Sequence, residues 1–160
     1  MTTFRNTVEN VAGRLCKKLL PIKQEYYLGK GIDTAICTLS DIDLLKKIFQ
    51  SNLMNDIAIC GRLLTENIGI DMIINFTSEN PKIRCIVVCG KEVSGHRAGQ
   101  ALLAVARNGV DQSGRIIGAI GPHPILKSSP QTIERFRMEV TILDMIGTIS
   151  IDSIATVLVT

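Results

Sequence analysis

Apolar residues run along this chain in two rhythms, one helical and one strand-like. Phe4, Val8, Val11, Ala12, Leu15 and Leu19 recur at three- and four-residue spacing and predict an amphipathic helix over about 4–20. Lys17 and Lys18 suit its last turn and Pro21 ends it. This helix precedes the main fold, where it can cover a sheet or contact another subunit. Residues 24–31, with two tyrosines and two glycines, read as a connector that forms a short hairpin arm. The run 34–39 predicts the first main strand. Ser40 then caps a helix whose apolar face is Leu44, Leu45, Ile48 and Phe49, with Asp41 and Asp43 in its first turn.

The alternation continues. Residues 56–60 predict a second strand, and Thr65 is placed to cap a helix with Ile70, Ile73, Ile74 and Thr77 on one face, broken at Asn80-Pro81. Residues 84–89 predict a third strand. A helix follows with Ala98, Leu102 and Val105 or Ala106 inward, stopped at Asn108-Gly109. Residues 115–120 predict a fourth strand, ahead of Gly121-Pro122-His123-Pro124. Ser129 caps a helix with Pro130 at its first position and Ile133, Phe136, Arg137 and Val140 on one face. Residues 140–146 predict a fifth strand, and 149–159 a final short helix or tail. Strands that alternate with helices predict an α/β fold. The expected architecture is a single Rossmann-like three-layer sandwich over 1–160, with a mostly parallel sheet of about five strands and helices on both faces. The glycine-bearing loops after the second, third and fourth strands then gather at one sheet edge.

Composition narrows this picture. With 46% hydrophobic residues but 4% aromatics and no tryptophan, the core is aliphatic. A net charge of +3, with no basic run interleaved with aromatics, argues against nucleic acid. No apolar segment is long enough to span a bilayer; the longest, near 149–159, contains Asp152. The odd count of five cysteines (Cys16, Cys37, Cys60, Cys85, Cys89), mostly in apolar runs and without a secretory signal, predicts buried, reduced thiols in a cytoplasmic protein. Cys85 and Cys89 share one strand face but have no further Cys or His at zinc-ligand spacing.

Chemistry concentrates in the turn from the third strand into the next helix, Gly90-Lys91-Glu92-Val93-Ser94-Gly95-His96-Arg97-Ala98-Gly99. It holds three glycines and one of only two histidines. Ligands of open α/β sheets bind beyond the carboxyl ends of strands, and neutral imidazole is a good ligand for transition metals. The glycines are too widely spaced for a dinucleotide fingerprint, no Walker motif occurs, and Ser94-Gly95-His96 is not a nucleophile elbow.

Taken together, Thr65-Glu66-Asn67-Ile68-Gly69-Ile70, Asn80-Pro81-Lys82-Ile83-Arg84, Cys89-Gly90, Val93-Ser94-Gly95-His96, Gly99-Gln100-Ala101, Asn108-Gly109-Val110-Asp111, Arg115-Ile116-Ile117-Gly118-Ala119 and Ile133-Glu134-Arg135-Phe136 resemble the A subunit of tetrahydromethanopterin S-methyltransferase, over roughly 58–147 in unbroken order. The resemblance implies a corrinoid-carrying methyltransferase subunit of methanogenesis. Its cobamide (5-hydroxybenzimidazolylcobamide or cobalamin) accepts a methyl group on cobalt from methyl-tetrahydromethanopterin and passes it to coenzyme M. It implies that His96 is the lower axial cobalt ligand. The cofactor-binding loops would comprise Thr65, Glu66, Asn67 and Gly69; Gly90, Val93, Ser94, Gly95, His96, Gly99 and Gln100; and Gly118, Ala119 and Gly121. Ser94, Glu66 and Asp111 are the candidates for the partner of the other imidazole nitrogen. Implied partners are the corrinoid and other methyltransferase subunits, at a place peripheral to a sodium-exporting membrane complex. Family members in that complex end in an extension with a membrane anchor, which this sequence lacks. A soluble cobamide carrier, store or sensor without turnover is therefore the second expectation, alongside a trimmed part of a longer chain.

Overall fold

The computed structural model describes residues 26–158; the helix expected over 4–20, and Cys16, lie outside them. The strands are β1 (Tyr26–Leu28), β2 (Thr34–Cys37), β3 (Ile59–Gly61), β4 (Cys85–Gly90) and β5 (Thr141–Ile146). The helices are α1 (Ile42–Phe49), α2 (Ile68–Glu79), α3 (Ala98–Asn108), α4 (Pro130–Glu139) and α5 (Ile151–Leu158). The sheet order is β1-β3-β2-β4-β5, with β1 antiparallel to β3 and the other neighbours parallel.

Side chains of a strand alternate between faces, so one strand feeds two cores. Ile86 and Val88 of β4 pack with Ile70 and Ile74 of α2, Leu102 of α3, and Ile133 and Phe136 of α4. Val87 and Cys89 of the same strand pack with Leu44, Leu45 and Ile48 of α1 and Ile154 of α5. Helices on both faces of a mostly parallel sheet make the expected three-layer α/β architecture. Cys85 and Cys89 do share a face, the one covered by α1 and α5.

The connections set where a ligand can bind. From β2 the chain passes by α1 to β3, on one side of β2; from β4 it passes by α3 and α4 to β5, on the other side. The two paths part at the carboxyl ends of β2 and β4, the place where open α/β sheets leave a crevice. The turn after β4 carries His96.

Several local expectations change. Residues 115–120 are not a strand. Gly114 and Gly118 turn the backbone to positive φ at either end, and only isolated bridges form, Val110 to Ile116 and Arg115 to Ile125. Of its isoleucines, Ile116 is buried while Ile117 and Ile120 are exposed. The apolar run is a loop that buries Ile116 and packs Ala119 against the core, and the fifth strand of the sheet is β1. The sequence reads that segment as a hairpin arm; it pairs antiparallel with β3, and its Tyr27 stacks on Phe49 of α1, ring centroids 4.0 Å apart. β3 begins three residues later than expected.

Two helix caps also move. α1 is capped by Asp41, whose Oδ1 accepts the Leu44 N–H at 2.9 Å, while the Ser40 hydroxyl donates to the Lys91 carbonyl at 2.8 Å. Asn67 is the cap residue of α2, and Thr65 Oγ1 accepts the Gly69 N–H one step further on. Ser129 with Pro130 caps α4 as expected. Asp41→Ala should lower unfolding stability by about 1 kcal/mol. In urea the midpoint is expected to fall with the m value unchanged; an unchanged midpoint would show that the cap contributes nothing.

Candidate functional site at the carboxyl edge of the sheet

The turn after β4 is held from within by a residue that the sequence did not single out. Glu92 Oε1 accepts the N–H groups of Val93 and Gly99 at 2.8 and 2.9 Å, and Oε2 accepts that of Gln100 at 2.8 Å. A carboxylate thus satisfies the orphan donors at the start of α3, where the helix dipole also favours negative charge. The cap position itself, Arg97, is left-handed (φ 52°) and supplies no side-chain bond. Glu92 lies seven and eight residues before the two helix amides it binds, a spacing no local capping pattern covers.

With both ends of the turn fixed, His96 projects at its tip. Its side chain is 51% exposed, and Nδ1 lies 2.7 Å from Oε2 of Glu66, whose own side chain is 1% exposed. Glu66 stands on the loop after β3, thirty residues away in sequence. Its Oε1 accepts the His123 N–H at 2.9 Å. Burial alone would push the Glu66 carboxyl up. Hydrogen bonds from its own backbone N–H, from the His123 N–H and from the His96 ring outweigh that and hold it below the usual carboxylate range. An ionised carboxylate only accepts, so Nδ1 carries the proton, and in the neutral ring Nε2 keeps its lone pair. No hydrogen bond involves Nε2 among the described residues. Of the three candidate partners of the imidazole, Glu66 is therefore the one the fold selects. Ser94 is exposed, and Asp111 is engaged by Ser113 and Arg115 in a turn.

The segment after α3 closes the site. A side chain at Gly121 would overlap the His96 carbonyl oxygen and crowd Glu66, so only glycine lets this loop touch the His96 turn. Gln100 clamps the loop, donating from Nε2 to the Gly118 carbonyl at 2.8 Å and accepting the Ile120 N–H at Oε1. Asn67 donates to the His123 carbonyl at 3.1 Å.

The expected site residues therefore divide by role. His96, Glu66, Gly121, Asn67, Gln100 and Gly118 form one connected cluster. Gly95 (φ 81°) and Ser94 are exposed on the same turn. Thr65, Val93 and Ala119 serve the framework: Thr65 binds the Gly69 N–H, Val93 is buried, and Ala119 packs against the core. Gly69 and Gly99 face inward, against Leu63 and against Leu39 and Ile146. Gly90 turns the chain out of β4 at φ 74°. The thiols stand apart from this chemistry. Burial pushes Cys37 and Cys89 up to about 12 and Cys60 to about 11, far from the thiolate form. No group of three His, Cys, Asp or Glu side chains able to hold a metal ion occurs among the described residues, and none of the described helices is long and apolar enough to cross a membrane.

Comparison with known proteins identifies the family. The family model for the A subunit of tetrahydromethanopterin S-methyltransferase matches residues 19–159. A protein of Methanosarcina barkeri, named as the A subunit of "Putative methyltransferase Mtx", is 37% identical over 134 residues, 83% of this chain and 68% of its own length. The A 2 subunit of tetrahydromethanopterin S-methyltransferase from Methanothermobacter thermautotrophicus is 48% identical over 100 residues, 61% of this chain and 55% of its own. The corresponding A subunit from Methanopyrus kandleri is 48% identical over 86 residues, 52% of this chain and 34% of its own. The chain thus spans between about a third and two thirds of the length of these curated relatives. With the family model matched along nearly all of the sequence, and with the residues that build the His96 site inside the match, the chain belongs to the family of tetrahydromethanopterin S-methyltransferase A subunits.

Proposed function

We propose that this chain binds a cobamide through Nε2 of His96 and serves as the corrinoid-bearing subunit of a methyltransferase. In that role it takes a methyl group from methyl-tetrahydromethanopterin and delivers it to coenzyme M, together with other subunits. The observation that carries the reading is the His96–Glu66 pair: a half-exposed imidazole at a switch-point loop, its Nδ1 pinned by a buried carboxylate and its Nε2 without a hydrogen bond among the described residues. A single imidazole is a poor site for a bare ion, which needs several protein ligands, but suits a metal that arrives already held by a macrocycle. Glycine at 121, whose side chain would otherwise displace the His96 turn, fits the same purpose.

When bound, such a cofactor supplies the cobalt centre that holds and gives up the methyl group. The chain's own residues do the rest. Glu66 fixes the tautomer and the orientation of the ring, as carboxylates do behind metal-bound histidines. The His123 N–H and the Glu66 N–H keep that carboxylate ionised. Glu92 fixes the turn that bears the histidine. The test is reconstitution of uniformly ¹⁵N-labelled protein with cobalamin, reduced to the paramagnetic Co(II) form. Superhyperfine splitting that changes with the protein's isotope is expected, from one protein nitrogen. Splitting insensitive to the label would sink the reading.

Glu66→Gln tests the support of the ring. Loss of the charged acceptor should weaken corrinoid binding by about 10–100-fold, the usual cost of removing an outer partner of a metal-bound histidine. It should also change the acid stability. The Glu66 carboxyl is depressed in the folded chain, so its stabilising effect is present above the unfolded-state value and is lost as pH falls through the folded one. Wild type should therefore lose stability more steeply than Glu66→Gln below about pH 4.3. Parallel acid unfolding curves would contradict this.

A further inference from the structure

Around the exposed imidazole the polar side chains are already engaged. Thr65 holds the Gly69 N–H, Asn67 holds Ile68 N–H and the His123 carbonyl, and Gln100 holds both Gly118 and Ile120. Part of the hydrogen-bonding capacity of these groups is thus spent on holding the loops in place. Besides the exposed Ser94, Arg97 and His123, these loops present two aliphatic side chains outward. Ile68 is 65% exposed at the first position of α2, two residues after Glu66. Ile120 is 62% exposed, next to Gly121, where the backbone touches the His96 turn. Isolated exposed apolar residues need no explanation, but these two are borne on backbone that is clamped. The Ile68 N–H is bound by Asn67 Oδ1 at 2.7 Å, and that of Ile120 by Gln100 Oε1 at 3.1 Å. Each is borne on a segment that contacts the His96 turn, Ile68 two residues after the Glu66 that binds the ring and Ile120 next to the Gly121 that abuts the His96 carbonyl, and β-branched side chains on held backbone lose little entropy on contact.

We propose that Ile68 and Ile120 are the apolar seat of the cofactor's macrocycle and give the ring its aliphatic side-chain contact around His96. The inference rests on the cobamide reading and extends it. The flat inner part of a tetrapyrrole-like ring is apolar while its amide groups lie at the periphery. Aliphatic side chains beside the ligating nitrogen therefore remove apolar surface from water on both partners. The clamped polar residues act one step back, as positioning residues that hold the two isoleucines in place.

The experiment measures cobalamin binding by equilibrium dialysis on the full 160-residue chain, as wild type and as Ile68→Asn, Ile120→Asn, Ile120→Leu and Met138→Asn. Asparagine removes the apolar surface without adding charge, and both sites are exposed, so the fold is retained. Each of the two asparagine variants at the rim should raise the dissociation constant by about tenfold. Ile120→Leu should stay near wild type. Met138, 78% exposed on α4 and outside the rim, should change nothing when replaced. At saturating cobalamin the isotope-sensitive nitrogen splitting should persist in every variant, because His96 is untouched. Unchanged affinity in both Ile68→Asn and Ile120→Asn, with that splitting present in wild type, would overturn the seat while leaving the ligand assignment standing. Equal weakening by Met138→Asn would also overturn it. Absence of the splitting in wild type would remove the cobamide reading and this inference together.

Discussion

His96→Ala is expected to abolish the protein-derived nitrogen splitting of bound Co(II) and to weaken binding more than about 100-fold, beyond what loss of an outer partner costs. The effect is clearest with a corrinoid that lacks its own nucleotide base, since an intramolecular base can refill the vacated position. The fold should survive, because the imidazole is half exposed and packs into neither core. One structural consequence follows at the partner. Glu66 Oε2 loses its hydrogen bond inside a buried site, so the carboxyl should rise toward its neutral form, and the variant should show a carboxyl titration shifted upward by NMR. His123→Ala is the matched control. Glu66 and Asn67 bind the backbone of that residue, not its ring, so binding should be nearly unchanged. Retained isotope-sensitive splitting in His96→Ala would mean another residue holds the cobalt.

Gly90→Val should unfold the chain most readily of the single changes considered. Gly90 leaves β4 at φ 74°, where an L side chain costs about 1–2 kcal/mol. A Cβ there would also lie 2.7 Å from the Thr38 carbonyl oxygen and 2.9 Å from Asp41 Cβ, contacts that no flexible side chain can relieve. Overpacking adds about 1–3 kcal/mol, so a total of about 2–5 kcal/mol is expected against the 5–15 kcal/mol typical of a domain. Gly95→Ala is the contrast. It has a similar φ of 81° but no atom within 4 Å, so only the conformational cost of about 1–2 kcal/mol remains. Denaturant midpoints should rank wild type, then Gly95→Ala, then Gly90→Val. Equal losses in the two variants would mean that backbone strain alone, and not the close approach of the β2 loop, decides this position.

The same two glycines show what was legible. Both were readable as members of a glycine-rich turn after a buried strand, but nothing in the sequence separates the crowded one from the open one. The misplaced strand over 115–120 has a comparable origin. Ile116, Ile117, Ala119 and Ile120 look alike as an apolar run. Their different fates, one isoleucine in the core and two exposed, go with Gln100 and Asn108 gripping the backbone around Gly118. Glu66 stood in the sequence level with Ser94 and Asp111 as a candidate partner of the imidazole, because no local pattern separates the three. Its actual role depends on a contact across thirty residues.

By itself the sequence determined the alternation of strands and helices, their apolar faces, and the turn that carries His96. Each of these depends on the repeat of neighbouring residues, through the two-residue period of strands and the 3.6-residue period of helices. The family was legible too, from motifs spread in order along the chain. Only the tertiary structure decided that β1 completes the sheet, that Glu92 caps α3, that Glu66 rather than Ser94 or Asp111 holds the imidazole, and that Ile68 and Ile120 stand exposed. These rest on contacts between segments far apart in sequence, brought together where the paths leaving β2 and β4 part, and no local period records which side chains will meet there.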